Sequence, residues 1–281
     1  MNGPGTSAGL GLLSAATWGG SDFVGGLGAR RAPAMLVVAS GHFVSFVLLV
    51  GVCLAMHLPL PANRILIIAV IAGFEGALAL AIFYRALAMG AMGLTAALTG
   101  VLTALVPVVF SMLSDGIPAP TTAAGLLAGL VAIWLITHTP GGEGPRTPRT
   151  ALMLGALSGL GFGLQLVLFK LATNGGLMWT LTSARAAGSL AMLFVIVARP
   201  GKRQWTGFWR LGVLAGVLDT IGNMFYLRAT QIGRLDVAAV ICSLYPAGTI
   251  LLAAIVLREL PSKRQLAGMA VALGAVMLLS A

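Results

Sequence analysis

Long runs of apolar residues, separated by short polar or proline-containing connectors, fill the whole 281-residue chain. A helix that crosses a bilayer needs about 20 predominantly apolar residues. Ten stretches fit that length: 8–28, 33–57, 65–88, 91–114, 120–138, 151–173, 177–198, 208–230, 235–257 and 263–280. The connectors include Arg30-Arg31-Ala32-Pro33, Pro59-Leu60-Pro61 and Gly116-Ile117-Pro118-Ala119-Pro120, sequences that end helices and start turns. Strands of a membrane β-barrel would alternate apolar and polar over about 10 residues, whereas these runs are continuous. The pattern predicts an all-α membrane protein with ten transmembrane helices.

The longest connector, 139–150, is rich in proline and glycine and divides the chain into two five-helix units, 1–138 and 151–281. A shift of 143 residues aligns the two without a gap. It places Arg85-Ala86 on Arg228-Ala229, Gly90 on Gly233, Pro118 on Pro261 and Ala124-Gly125 on Ala267-Gly268. Five helices per copy is an odd number, so the second copy enters the membrane the other way up. Inverted repeats of this kind place a substrate site near the bilayer midplane, between the copies. Pro107 and Pro246 fall in the fourth helix of each copy, where a missing backbone N–H and ring clash predict kinks suited to gating.

Composition sharpens the class. Hydrophobic residues make up 58% of the chain and charged residues 9%, against about 25% charged in soluble domains, so a soluble enzyme is excluded. The 38 glycines suit closely packed membrane helices. In particular, Gly125/Gly129, Gly155/Gly159/Gly163 and Gly212/Gly216 each recur at four-residue spacing. The net charge of +10 reads as topology control rather than nucleic-acid binding. Connectors after odd-numbered helices hold Arg30, Arg31, Arg85, Arg146, Arg149, Arg199, Lys202, Arg203, Arg210, Arg258, Lys263 and Arg264. The other side holds only Arg64, Lys170, Arg228 and Arg234. Positive charge favours the cytoplasm, which places both termini outside. Trp205 and Trp209 read as interfacial anchors. Residues 1–7 show no basic region of a cleavable signal peptide. Cys53 and Cys242 are isolated and no metal-ligand spacing occurs. The chain has no GxxxxGK[ST], so no cofactor, metal or nucleotide is expected and any transport would be driven by a gradient or a partner chain.

Ionisable groups within the apolar runs carry the functional reading, because such groups are costly in a bilayer and mark pathways or sites. They are Asp22, His42, Glu75, Arg185 and Asp219. The same shift sets Asp22 on Gln165, His42 on Arg185, and Glu75 on Leu218, next to Asp219. Symmetry sends these pairs toward one central region, predicted to be a polar cavity. Asp219, Asn223 and Tyr226 lie on one helix face, as do Glu75, Ala79 and Phe83. Structural roles compete with these: Arg185 as glue to an acid or to helix-end carbonyls, His42 as a satisfied buried histidine, Asp22 at interface water, Phe83 and Phe225 as packing.

Ala16-Thr17-Trp18-Gly19-Gly20-Ser21-Asp22-Phe23 resembles the opening signature of EamA repeats in the drug/metabolite transporter superfamily. So do Phe225-Tyr226-Leu227-Arg228-Ala229, Tyr245-Pro246, Leu257-Arg258-Glu259-Leu260-Pro261 and Leu266-Ala267-Gly268. The first half repeats the signature more loosely in Phe83-Tyr84-Arg85-Ala86-Leu87, Val106-Pro107 and Ala124-Gly125. Ser183-Ala184-Arg185 is similar to the arginine found early in a repeat's second helix. The first half departs there with His42, and has Gly116 opposite Glu259, with Asp115 one position off. The resemblance implies a ten-helix exporter or exchanger of small metabolites, often amino acids; the expected location is a bacterial inner (plasma) membrane. Its cavity would be lined by helices 1–4 and 6–9.

These readings converge on a secondary transporter working by alternating access. Arg185 and His42 are the candidates to hold an anionic group, Glu75 and Asp219 to hold an amine or carry protons. Asn223, Tyr226, Trp18 and Asp22 complete the expected binding set, with Pro107 and Pro246 as gating positions. The expected partners are a small-molecule substrate, the lipid bilayer and protons. Two alternatives stand: an efflux protein in which the acids and Tyr226 cradle a lipophilic cation, and an intramembrane enzyme. For the latter the chain offers neither HExxH nor GxSxG.

Overall fold

The structure, a computed structural model, describes residues 4–89, 92–137, 148–173, 176–198, 209–256 and 262–280. Among these every regular element is an α-helix. In chain order they are α1 (Pro4–Ala29), α2 (Ala34–Ala55), α3 (Asn63–Met89), α4 (Met92–Ser114), α5 (Pro120–Thr137) and α6 (Arg149–Ala172). There follow α7 (Leu177–Ala198), α8 (Trp209–Ile232), α9 (Leu235–Cys242), α10 (Tyr245–Val256) and α11 (Lys263–Ser280). Each of the ten apolar stretches is therefore helical. Among the described residues, five segments are long and apolar enough to cross a membrane: Ala34–Ala55, Asn63–Met89, Arg149–Ala172, Leu177–Ala198 and Leu235–Val256. The chain is a multi-pass membrane protein. Gly90, most of the 139–150 connector with Arg146, then Arg199, Lys202, Arg203, Trp205, Arg258, Glu259 and Pro261 lie outside the described residues. Trp209 is half exposed, with the Arg210 guanidinium 5.4 Å from its ring centre.

The ninth stretch departs from a single helix. It is broken at Ser243-Leu244, between α9 and α10. Pro246 offers no N–H to the carbonyl of Cys242 and its ring crowds that turn. Pro107 stands inside α4, which runs unbroken. The two prolines expected to act alike thus have different local outcomes.

Small residues set the helix crossings. In α1, Ser7, Ser14 and Ser21 recur every seven residues, and each hydroxyl donates to a carbonyl of α8. The acceptors are Ala229, Gly222 and Ala215, at 3.0, 2.9 and 2.8 Å, and they too are seven apart. A seven-residue repeat keeps one helix face on its neighbour, so α1 and α8 are stitched antiparallel along most of their length. The Gly155/Gly159/Gly163 face of α6 lies against α4, where a Cβ on Gly159 would meet the Thr99 carbonyl oxygen at 2.6 Å. The Gly212/Gly216 face of α8 receives α2; a Cβ on Gly216 would lie 2.2 Å from the Gly41 Cα. Close approach of this kind needs glycine.

These contacts sort the helices into two groups. One holds α1, α2 and α8 with α9–α10; the other holds α6, α7, α3 and α4. Each mixes the N- and C-terminal parts of the chain. The groups meet chiefly where α2 lies against α7, while α5 and α11 pair with each other.

Candidate functional site

A pocket lies between the two groups. The first group lines it with Trp18, Asp22, His42, Asp219, Asn223 and Tyr245; the second contributes Arg185, Gln165 and Thr103 with Gly76, Leu80, Phe162 and Leu166. The charged members come from α1, α7 and α8. Neither α1 nor α8 is among the segments apolar enough to be recognised as a span by hydropathy, because those helices spend core positions on polar side chains.

Arg185 is the centre of the arrangement. Its side chain is 4% exposed, and Nη2 lies 2.7 Å from Oδ2 of Asp219. The contact is ionic rather than an aligned hydrogen bond, since Nη2 has no acceptor in hydrogen-bond geometry. Nη1 lies 3.2 Å from Nε2 of His42. A guanidinium only donates, so His42 Nε2 accepts. Asn223 Nδ2 donates to the Asp219 main-chain oxygen at 2.8 Å and to its Oδ1 at 3.1 Å. Gln165 Nε2 donates to the Ala72 carbonyl at 3.1 Å. Asp22 is buried and, among the described residues, receives no hydrogen bond and forms no ion pair. Burying charge without partners is costly, and Asp22 bears that cost among the described residues without a counter-charge. Among the described residues no cluster of His, Cys, Asp or Glu could hold a metal ion.

Six expected site residues meet here: Trp18, Asp22, His42, Arg185, Asp219 and Asn223. Others are placed elsewhere. Glu75 is half-buried on the α3–α6 seam, where a Cβ on Gly161 would lie 2.6 Å from its Oε1, and its Oε2 is buried without a partner. The next residue, Gly76, is the one that reaches the pocket. One residue turns a helix by about 100°, and the 143-residue shift sets Gly76, not Glu75, on the pocket-lining Asp219. Tyr226 lies behind the pocket wall. Its hydroxyl donates to the Leu166 carbonyl at 2.9 Å, and its ring centre is 5.8 Å from that of Trp18. Pro246 flanks the pocket through its neighbour Tyr245, and Pro107 does not line it. Thr103, Phe162 and Tyr245 were not singled out by sequence. Only Tyr245 carried a signal, as the residue before the helix-breaking proline.

Residues 149–281 match the model of the EamA-like transporter family. This half of the chain belongs to that family. EamA proteins are part of the drug/metabolite transporter superfamily and are transporters rather than enzymes, and the match, over just under half of the chain, points to a membrane transporter of that type. No curated protein matches the sequence. A solved crystal structure is similar over 97% of this chain and 95% of its own, with a TM-score of 0.72 at 18% identity. At that identity the likeness speaks for the fold, and it extends through the EamA-like half and the half that precedes it.

Proposed function

We propose that the protein is a secondary transporter that moves small polar metabolites, amino acids and related amines among them, through this pocket by alternating access. The observation that carries the reading is the Arg185–Asp219 ion pair. It joins α7 of one helix group to α8 of the other across the pocket, so parting the groups must break it and a bound polar solute can replace it. The protein is read as residing in a plasma membrane, with both termini outside as the positive connectors suggest.

The same reading holds that residues 1–138 and 151–281 are inverted copies. Contacts related by 143 residues support it. The close approach of Gly41 to Gly216 has its counterpart in Ala184 and Gly73, where a Cβ on Gly73 would meet the Ala184 carbonyl oxygen at 2.1 Å. The carbonyls of Ala72 and Ala215, 143 residues apart, both accept from the neighbouring helix, from Gln165 of α6 and Ser21 of α1, donors that stand 144 apart. The α1–α8 packing corresponds in the same way to α6–α3. The bodies that move are then the two mixed helix groups rather than the two sequence halves.

Reconstitution tests the proposal. Purified protein in proteoliposomes is expected to give saturable exchange of an amino acid or a small amine, lost in Arg185→Ala. Product formation in detergent without any gradient, and no exchange across a solute panel, would instead revive intramembrane catalysis.

A further inference from the structure

The uncommitted polar surface of the pocket is made mostly of acceptors. Gln165 Nε2 is bound to the Ala72 carbonyl and Asn223 Nδ2 to the Asp219 carbonyl. A carbonyl can only accept, so both amide orientations are fixed. Gln165 Oε1 and Asn223 Oδ1 are thereby left over, with the second N–H of Gln165 Nε2 the one amide donor beside them. The Thr103 hydroxyl donates to the Thr99 carbonyl at 2.8 Å, which leaves its lone pairs. Asp22 adds a carboxylate with no donor.

The other donors, by contrast, are engaged or sealed. Arg185 Nη1 is on His42, and Nη2 is buried without a hydrogen-bond acceptor, held only by its ion pair with Asp219. Its Nε, the Tyr245 hydroxyl and Trp18 Nε1 have no partner but are shut off from the pocket space. Trp18 Nε1 lies against α8, 2.7 Å from where a Gly222 Cβ would stand. His42 Nδ1 is pressed on α7 in the same way, 2.2 Å from a Gly188 Cβ. Charge points the same way: the pocket holds the carboxylates of Asp22 and Asp219 against one guanidinium. Arg185, expected from sequence to receive an anion, already has one.

We infer that the substrate is a compact organic cation with several N–H donors, a primary ammonium or a guanidinium, whose charged group sits on Asp22 and is shared with Gln165 Oε1 and Asn223 Oδ1. The inference rests on the transporter reading for its cargo, but the binding chemistry stands apart from it. Leu80, Phe162 and Leu166 receive the apolar part. A quaternary ammonium carries the charge without the donors and leaves the acceptors unpaired.

The test is a thermal-shift and calorimetric comparison on the full chain in detergent. Three probes share one carbon skeleton: 3-methylbutylammonium, its N,N,N-trimethyl derivative and 3-methylbutanoate. The ammonium is expected to bind, the other two at least about tenfold more weakly, and Asp22→Asn to weaken the ammonium by about tenfold or more. Preference for the carboxylate, equal binding of the trimethyl compound, or no binding of the ammonium by the unaltered protein overturns the inference. Ammonium that binds but is not exchanged in proteoliposomes refutes the transporter reading and leaves this inference intact. Exchange of an anion with none of the ammonium does the reverse.

Discussion

His42 and Arg185 stand 143 residues apart and touch, Nε2 to Nη1, at 3.2 Å. The interval is the one that aligns the two halves of the sequence. A two-fold relation brings a residue against its own counterpart only where the axis passes between them. The contact therefore supports both the proposed repeat and a central location for the pocket. It also exposes the limit of the symmetry: the two positions hold different chemistry, and only Arg185 reaches an acid.

Removing Arg185 leaves the Asp219 carboxylate without its counter-charge in a poorly hydrated site. Arg185→Gln is expected to destabilise the protein by about 3–5 kcal/mol, the range for a broken buried pair. Arg185→Gln combined with Asp219→Asn removes both charges and is expected to recover a large part of that loss. Denaturation in detergent measures this. A double variant no more stable than the single would show that the pair is not what holds the helix groups together.

Glycine at the tight crossings is expected to be intolerant in a graded way. Gly216→Ala and Gly73→Ala place a methyl within 2.2 and 2.1 Å of backbone on a neighbouring helix, and overpacking of this kind costs about 1–3 kcal/mol. Gly51→Ala meets nothing within 4 Å and gains helix propensity. Melting temperatures should fall for the first two and hold or rise for the third.

Glu75 is the remaining candidate for proton movement, now as a group beside the pocket rather than in it. Glu75→Gln is expected to leave amine affinity within about twofold while abolishing uptake driven by a pH gradient, since an amide cannot exchange the proton. Gradient-driven uptake equal to that of the unaltered protein would remove the proton role.

Much of this was legible from sequence, and for identifiable reasons. The ten helices follow from run lengths, because a bilayer imposes one dimension on every span. Asp22, His42, Arg185, Asp219 and Asn223 were found because an ionisable or amide group in an apolar run needs a reason to be there. Glu75 drew attention by its charge, but the 143-residue register sets Gly76, not Glu75, on Asp219; the one-residue turn between them puts Gly76 on the pocket face and Glu75 on the α3–α6 seam. The serine stitching of α1 to α8 was present as a seven-residue repeat, but small hydroxyls in a membrane helix also satisfy their own helix, as Thr17 does with the Leu13 carbonyl. Its meaning emerged only with the partner. The break before Tyr245 and the unbroken run through Pro107 show that neighbouring packing, not proline alone, decides whether a helix parts.

The central claim, that the two helix groups separate alternately on either side of the pocket, is tested most directly by tying them together. The native Cys53 on α2 lies 3.4 Å, Sγ to Oγ1, from Thr182 on α7, so Thr182→Cys offers a bridge at one end of the seam. Ala39 and Ile196, which line the apolar groove at its other end, are the corresponding positions for a second pair of cysteines. Flux through proteoliposomes is expected to stop when either bridge is formed and to return when it is reduced. Transport at the unbridged rate with the cysteines oxidised would contradict the account.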